Sequence, residues 1–447
     1  MKELRKIWGL TWPAIVEFAL QTIVQYIDLY MVGKLGNDAT AIVGLGSQVQ
    51  FMLKFPIMSM SVGVLSSVAI AYGEKNDEHI HKMSVQTVNY TLTVGVLFWI
   101  ISFIVGYVTV FVCNLEPELK KEFLAYFNIS YSTTILFTAT CMFGSVLKGI
   151  GDMKTPMVVN GFVNIINIAI NYIMIYDTRY IIFFGKKVKV YGLGMGVRGA
   201  GLGTAISIGI GGILMIVAVY RNVYTSFKGY SKKPDIDIIK KFFFIGLPAG
   251  LASFVTGIGR MIFTSFVSSI GTVAMAAHFI AFTAESFFYI PAVGAEKGVT
   301  TLAGNYYGEG DINKIKKMSE TGVAMTVFIM SLMGVFLYVL SDYVSALFSN
   351  ETEVIGLSAQ MLRIVAFSEP IFGLSLVLQG ILEGLGRTKE TFIGSSVPMW
   401  IFRVFICYFL IIELGLGLEF VWFCMIGDNV FRTILMYISL KKNNIRL

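Results

Sequence analysis

GLTWPAIVEFALQTIVQYIDLYMVGKLG, residues Gly9 to Gly36, decides how this chain is read. The stretch is long and apolar enough to cross a hydrocarbon layer of about 30 Å, yet it carries Glu17, Gln21, Gln25 and Asp28. At about 100° per residue these four fall within an arc of about 80° on one helical face. An ionised acid at mid-bilayer costs roughly 2.5–3.5 kcal/mol, so two on one helix mark a functional site. The plainer alternative places Asp28 at a membrane surface beside a loop.

The remainder of the chain fits such a span. Of its 447 residues, 55% are hydrophobic and 14% charged. A soluble protein of this size is about a quarter charged, so most of this surface meets lipid. Twelve spans are predicted, near residues 8–32, 42–72, 85–111, 122–147, 157–177, 195–220, 241–267, 273–303, 319–341, 355–383, 391–413 and 418–440. No cleavable signal peptide is expected, because the first apolar run is long and lacks a small-residue cleavage site. The termini and even-to-odd loops are rich in Lys and Arg, above all around Lys228, Lys232, Lys233, Lys240 and Lys241. The opposite loops hold only Lys34, Lys120, Lys121, Arg179, Lys186, Lys187, Lys189 and Arg198. Positive charge on one side places both termini in the cytoplasm, and the expected location is the plasma (inner) membrane. The net charge of +7 follows from this asymmetry and calls for no nucleic acid.

Cys113, Cys141, Cys407 and Cys424 show no CxxC spacing, and the histidines are only His79, His81 and His278. Neither set makes a disulfide framework or a metal enzyme. His79 and His81 are read as solvated loop residues.

An internal repeat organises the spans. A shift of 235 residues sets Pro13 on Pro248, Gly36 on Gly271, Gly63 on Gly298 and Tyr72-Gly73-Glu74 on Tyr307-Gly308-Glu309. The same shift sets Leu147-Lys148-Gly149 on Leu382-Glu383-Gly384. Later glycines pair under a smaller shift, consistent with an insertion near 178–191, where a short hairpin is expected. Six spans per copy return the chain to its starting side, so the copies are parallel repeats. The expected fold is an all-α membrane protein, twelve transmembrane helices in two six-helix bundles around a central cavity. The N-lobe is residues 1–225, a cytoplasmic linker 226–240, and the C-lobe 241–447.

The fifth span carries Asn160, Asn164, Asn167 and Asn171 within an arc of about 60°. Amides in hydrocarbon need partners, and the polar stripe of the first span has matching length. Helix-to-helix gluing is one reading. Orientation of a cation or of a proton-carrying acid is the other, and it is the one expected of Asn167 and Asn171. None of these acids or amides recurs in the second copy. That half has His278, Glu285 and Glu296 on one face of span 8, with Arg260 on span 7 as a partner and Lys297 adjoining Glu296. Lys54, Arg363, Glu369, Arg403 and Asp428 are assigned to interfacial snorkelling or helix pairing.

Gly194-Met195-Gly196-Val197-Arg198-Gly199 matches G-x-G-x-x-G but opens an apolar span instead of following a strand into a dinucleotide fold. With Gly201 and Gly203 it reads as close helix packing. The chain has no Walker-type G-x-x-x-x-G-K-[ST], which points to an ion gradient as the energy source.

Pro13 followed by Asp28 and MVGKLG, then VAIAYGEKN, LKGIGDMKTP and RGAGLGTAIS, resembles the multidrug and toxic compound extrusion (MATE) family. IGLPAG, AAHFIAFTAES, NYYGEGD and QGILEGLGRTK in the second half share the likeness, which covers nearly the whole chain. The resemblance implies two six-helix lobes around a V-shaped cavity and export of organic cations or amphiphiles in exchange for Na⁺ or H⁺. It makes Asp28 the first-span acid, Pro13 a conformational hinge, Asn167 and Asn171 the fifth-span pair, and Glu285 a span 8 acid. DinF-type members usually have Asp where this chain has Asn171, and NorM-type members have acids where it has Thr256 and Phe372. The branch and the coupling ion stay open.

The expected function is therefore a cation-coupled antiporter working by alternating access, not an enzyme. Asp28, Glu17, Gln21, Asn167 and Asn171 form its ion- or proton-coupling site. Asp28 and Asn167 would ligate Na⁺ if that is the ion, and Glu285, His278 and Arg260 are secondary candidates. Small organic substrates and the bilayer are the expected partners, and the expected state is a monomer without cofactor. A lipid-linked precursor flippase of the same wider superfamily is the alternative.

Overall fold

The computed structural model describes residues 2–113, 115–183, 186–231 and 233–442, with no side chain described at Asn37, Phe51 or 181–188. Its first half runs α1 (Lys2–Gly33), α2 (Asn37–Met60), α3 (Val62–Gly73), α4 (Asp77–Val112), α5 (Pro117–Tyr131), α6 (Thr134–Gly149) and α7 (Lys154–Ile175). A hairpin of β1 (Asp177–Phe183) and β2 (Lys186–Leu193) follows, then α8 (Gly196–Arg221). The second half runs α9 (Ile236–Ile270), α10 (Thr272–Phe288), α11 (Ile290–Gly308), α12 (Ile312–Ala346), α13 (Thr352–Ala366), α14 (Glu369–Gly384), α15 (Thr388–Pro398) and α16 (Leu418–Lys442).

Among the described residues, ten helices or continuous helix runs are long and apolar enough to cross a bilayer, and two bent pairs bring the number to twelve. The bent pairs are α10 with α11, at 45°, and α13 with α14, at 55°. Each second piece has a proline in its first turn, Pro291 and Pro370. A missing N–H and a ring that clashes with the preceding turn explain both breaks. After Pro398 the eleventh span continues as the π-helical segments Met399–Ile406 and Phe409–Glu413, a local widening that follows the interrupted hydrogen-bond ladder. The expected hairpin is present, with β1 and β2 antiparallel.

Hydropathy marks only the part of a helix that lies in hydrocarbon, and here the helices run further. Asn76 caps α4 by accepting from the His79 N–H at 3.0 Å, so the helix starts at Asp77 and not near 85. Asp235 caps α9 through the N–H groups of Asp237 (3.1 Å) and Ile238 (3.3 Å). Residues 236–240, read as linker, are therefore helical. His79 and His81 lie in the first turns of α4, not in a loop. His81 stacks on Tyr230 at 5.1 Å and its Nδ1 lies 2.5 Å from the Ser226 carbonyl oxygen. Gln86 donates to the Lys233 carbonyl at 2.9 Å, which ties the linker to α4.

The start of α1 and the end of α16 lie on one side, since Ile7 and Leu440 share an apolar cluster with Tyr306, Met318 and Val377. On that side the two repeats meet backbone to backbone. A Cβ on Gly73 would stand 1.9 Å from the Asn305 carbonyl oxygen, and one on Gly308 would stand 2.0 Å from that of Ile70. Gly73 and Gly308 are repeat equivalents, and so are Ile70 and Asn305. Within each repeat an equivalent pair packs as closely: a Cβ on Gly149 would lie 3.0 Å from the Leu65 oxygen, and one on Gly384 2.3 Å from that of Thr300. A pseudo-twofold axis thus passes between α3 and α11, and only residues without a side chain allow this approach. Gly73→Ala is expected to wedge the contact open and lower the closed population on this side, read as faster labelling of cysteines introduced along α3 and α11.

Candidate functional site

The first and fifth spans run parallel, and their polar stripes meet in register. Asn160 Nδ2 donates to Glu17 Oε1 at 2.8 Å, and Asn171 Nδ2 donates to Asp28 Oδ1 at 2.8 Å. Both pairs have the same sequence separation, 143, as parallel helices of equal rise require. The two carboxylates are nevertheless about 16 Å apart along α1. The expected grouping of Glu17 with Asp28 is corrected: the stripe holds two separate sites. Gln21 lies between them, half-buried.

The Asp28 site is a half-buried carboxylate among amides. Asn167 and Asn171 are both buried, and Asn171 Nδ2 also donates to Asn167 Oδ1 at 3.2 Å. With its amide turned over, Asn167 donates to both Asp28 oxygens at 3.1 Å instead. The same side chain thus offers either N–H to a carboxylate or oxygen to a cation. Asn171 Oδ1 is buried with no hydrogen-bond partner. Room for this amide comes from α8: a Cβ on Gly203 would lie 2.0 Å from Asn171 Oδ1, and one on Gly199 2.4 Å from the Met174 carbonyl oxygen. The glycine-rich opening of α8 is therefore a packing surface, as its apolar context implied. Further along α2, Lys54 donates to Gln50 at 3.0 Å and lies over the Phe137 ring at 5.4 Å. Gln50 in turn donates to Tyr126 at 3.3 Å.

Glu17 belongs elsewhere. Its Oε1 also accepts from Lys148 Nζ on α6 at 2.9 Å, and the pair is buried near the end where the repeats touch. Lys148, which the loop-charge pattern counts among the even-to-odd loop cations, lies in the last turn of α6. Pro13 sits one turn before Glu17 within an unbroken helix. The adjacent turn packs on α11, where a Cβ on Gly294 would lie 3.0 Å from the Ile15 nitrogen.

In the second half the expected face of span 8 is broken up. The bend between Phe288 and Ile290 separates Glu285 on α10 from Glu296 on α11, so the three polar groups are not on one continuous helix. His278 packs among Phe263, Phe282 and Trp422, with ring centroids 5.7 to 6.2 Å away. It is a core histidine of the aromatic cluster. The Arg260 guanidinium lies over the Phe282 ring at 5.7 Å, and Arg260 and Arg403 are the cations in electrostatic reach of Glu285. Arg403 Nε donates to Asp428 Oδ2 at 2.6 Å, with Arg432 3.3 Å from the same oxygen; this is helix pairing, as expected. Arg363 pairs with Asp342 at the surface. Glu369 departs from the expected snorkelling. It is 1% exposed, at the break between α13 and α14, and neither carboxyl oxygen has a hydrogen-bond partner. Thr256 turns its hydroxyl onto the Ala252 carbonyl at 2.7 Å, and Phe372 packs edge-on against Tyr289 at 5.6 Å.

Two parallel six-span repeats that meet at one face, with an acid–amide site inside the first repeat, are the layout of a membrane transporter. The MatE family profile matches residues 13–173 and again 248–409, once in each repeat. The chain belongs to the MATE family of membrane transporters. It is 27% identical to a probable multidrug resistance protein NorM of Thermotoga maritima, over 97% of this chain and 91% of that protein. With the probable multidrug resistance protein YoeA of Bacillus subtilis it shares 24% identity, over 87% and 82%. Its fold matches a crystal structure of MATE in complex with MaD3S at TM-score 0.88 and 20% identity, covering 99% and 96% of the two chains. An outward-facing multidrug resistance MATE transporter of the MOP superfamily matches at TM-score 0.86 and 19% identity, with the same coverage.

Two outcomes follow from this geometry. Gly203→Ala is expected to push the Asn171 amide off Asp28 and reduce transport while the protein still reaches the membrane, checked by uptake assays against membrane-fraction immunoblots. Asp428→Ala leaves two arginines without their carboxylate. Breaking a buried pair costs roughly 3–5 kcal/mol, so its melting temperature in detergent should fall by several degrees.

Proposed function

We propose that this chain is a cation-coupled antiporter of the plasma membrane, with both termini cytoplasmic. It exports organic cations or amphiphilic compounds in exchange for Na⁺ or H⁺. Asp28 is the coupling carboxylate, and the observation that carries the reading is its setting. It is half-buried on α1, it is bonded by Asn171 at 2.8 Å, and it makes no ion pair among the described residues, Lys54 on α2 being in electrostatic reach only. Amides solvate a carboxylate without neutralising it, which leaves its charge for an incoming ion. A hard cation takes oxygen ligands, and the Asp28 carboxylate with Asn167 Oδ1 and Asn171 Oδ1 is such a set. A proton would sit on the same carboxylate. The relatives named as multidrug resistance proteins support the substrate class.

Coupling requires that the ion bind the two lobe arrangements unequally. Neutralising Asp28 changes what the α1–α7 seam can hold, and α1 crosses to the second repeat at its Pro13 end, so ion occupancy and lobe position share one helix. Pro13, which lacks the N–H that would stiffen that turn, is where α1 flexes. Asp28→Asn is expected to abolish efflux with expression intact. Substrate accumulation measured in cells under separate Na⁺ and pH gradients checks this and identifies the ion; normal efflux by the variant would refute the assignment.

A further inference from the structure

Five charged side chains gather where the repeats close on each other, away from Asp28. On the first repeat Glu17 Oε1 accepts from Lys148 at 2.9 Å and from Asn160 at 2.8 Å. On the second, Lys297 Nζ lies 2.8 Å from Glu296 Oε1 and 4.0 Å from Glu383 Oε2. Gln379 donates to Glu383 Oε1 at 2.7 Å. The two halves touch: Thr301 of α11 donates to the Lys148 carbonyl at 3.0 Å, and Ser66 of α3 to the Gly384 carbonyl at 3.1 Å. Glu17 and Lys297 are in electrostatic reach across this seam. The side chains of Glu17, Glu296 and Glu383 are 5, 7 and 4% exposed, and the two lysines 15 and 22%. Lys148 and Glu383 are repeat equivalents of opposite sign.

Three carboxylates against two ammonium groups leave one uncompensated negative charge in a buried seam. Burial of a net charge is strongly unfavourable unless it is neutralised. The unmet demand is visible at two atoms, Glu17 Oε2 and Glu383 Oε2, which are buried and accept no hydrogen bond. We infer that this cluster is a second proton-binding site, which takes up one proton as the repeats close here and returns it to water as they part. A proton on Glu383 or Glu17 turns an unpartnered oxygen into an O–H donor and brings the five groups to neutrality. A metal cation would have to stand beside two ammonium groups, whereas a proton adds no new charged centre. On opening, Glu17 and Lys148 leave together as a neutral pair. Glu296, Lys297 and Glu383 leave as a triad of charge −1 that water can solvate. Among the described residues the Cys141 thiol on α6 is also in reach; α7, α3 and α14 contribute the neutral Asn160, Ser66 and Gln379.

Closure at this face should therefore be favoured by low pH, independently of Asp28. The test uses the full chain in lipid nanodiscs, with its four cysteines replaced and spin labels at Lys82→Cys and Lys317→Cys, which are exposed repeat equivalents. In an Asp28→Asn background the closed-to-open ratio from distance distributions should fall about tenfold per pH unit through the titration window, as uptake of one proton demands. Adding Glu383→Gln should flatten that response and leave this face closed at every pH. Glu17→Gln, which removes the same charge from the other repeat, should do likewise and serves if the first variant does not fold. A response already abolished by Asp28→Asn alone would overturn the inference. So would a slope untouched by both Gln variants, or a ratio set by Na⁺ at fixed pH. The outcome is separate from the Asp28 assignment, which is judged by transport.

Discussion

A carboxylate that leaves water for the inside of a helical bundle must find a donor, a cation or a proton. That constraint sorts the acids of this chain. Asp428 has two arginines and is a structural joint. Glu17 has Lys148 and Asn160 but keeps one bare oxygen. Asp28 has amide donors and no ion pair, with Lys54 the cation in electrostatic reach. The fewer formal charges surround an acid, the more its occupancy can depend on an ion from outside. On this scale Asp28 is the acid proposed for coupling, Glu17 a seam residue and Asp428 scaffold.

The frame around these acids is set by a second constraint, the close approach of two backbones. Gly73 and Gly308 meet each other's repeat through the carbonyls of Asn305 and Ile70, so the contact has the symmetry of the repeat itself. At such a seam backbone meets backbone, with small side chains such as Ala69 and Ser66 crossing beside it. Around it the decoration is asymmetric. The charges of Glu17 and Lys148 face Glu296, Lys297 and Glu383, and the amide ladder has no counterpart on the second repeat. A symmetric hinge region with unequal charge on its two sides gives a lobe motion something to respond to.

Much of the fold was legible because lipid leaves few choices: apolar runs of sufficient length, an even number per copy and a shared glycine register already imply two parallel six-helix bundles. The α1–α7 pairing was legible too, since stripes of equal length on parallel helices can bond in only one register. The errors have physical causes. Glu17 and Asp28 share a face but are three turns apart, and face alone carries no information about depth. Span 8 was read as one helix, yet Pro291 bends it between Glu285 and Glu296. Glu369 was assigned to interfacial snorkelling or helix pairing, although Pro370 beside it already signalled a break. The signal for Lys148 was present in its repeat partner Glu383, an opposite charge at an equivalent place.

The sequence by itself determined the class of fold, the repeat and the acid of the first span, because periodicity and hydropathy report on what each helix must bury. Only the tertiary structure decided which charge answers which. Partners across helices are chosen by depth, by bends at Pro291 and Pro370, and by the glycines that let α3, α8 and α11 approach their neighbours, and none of these distances is written along one chain.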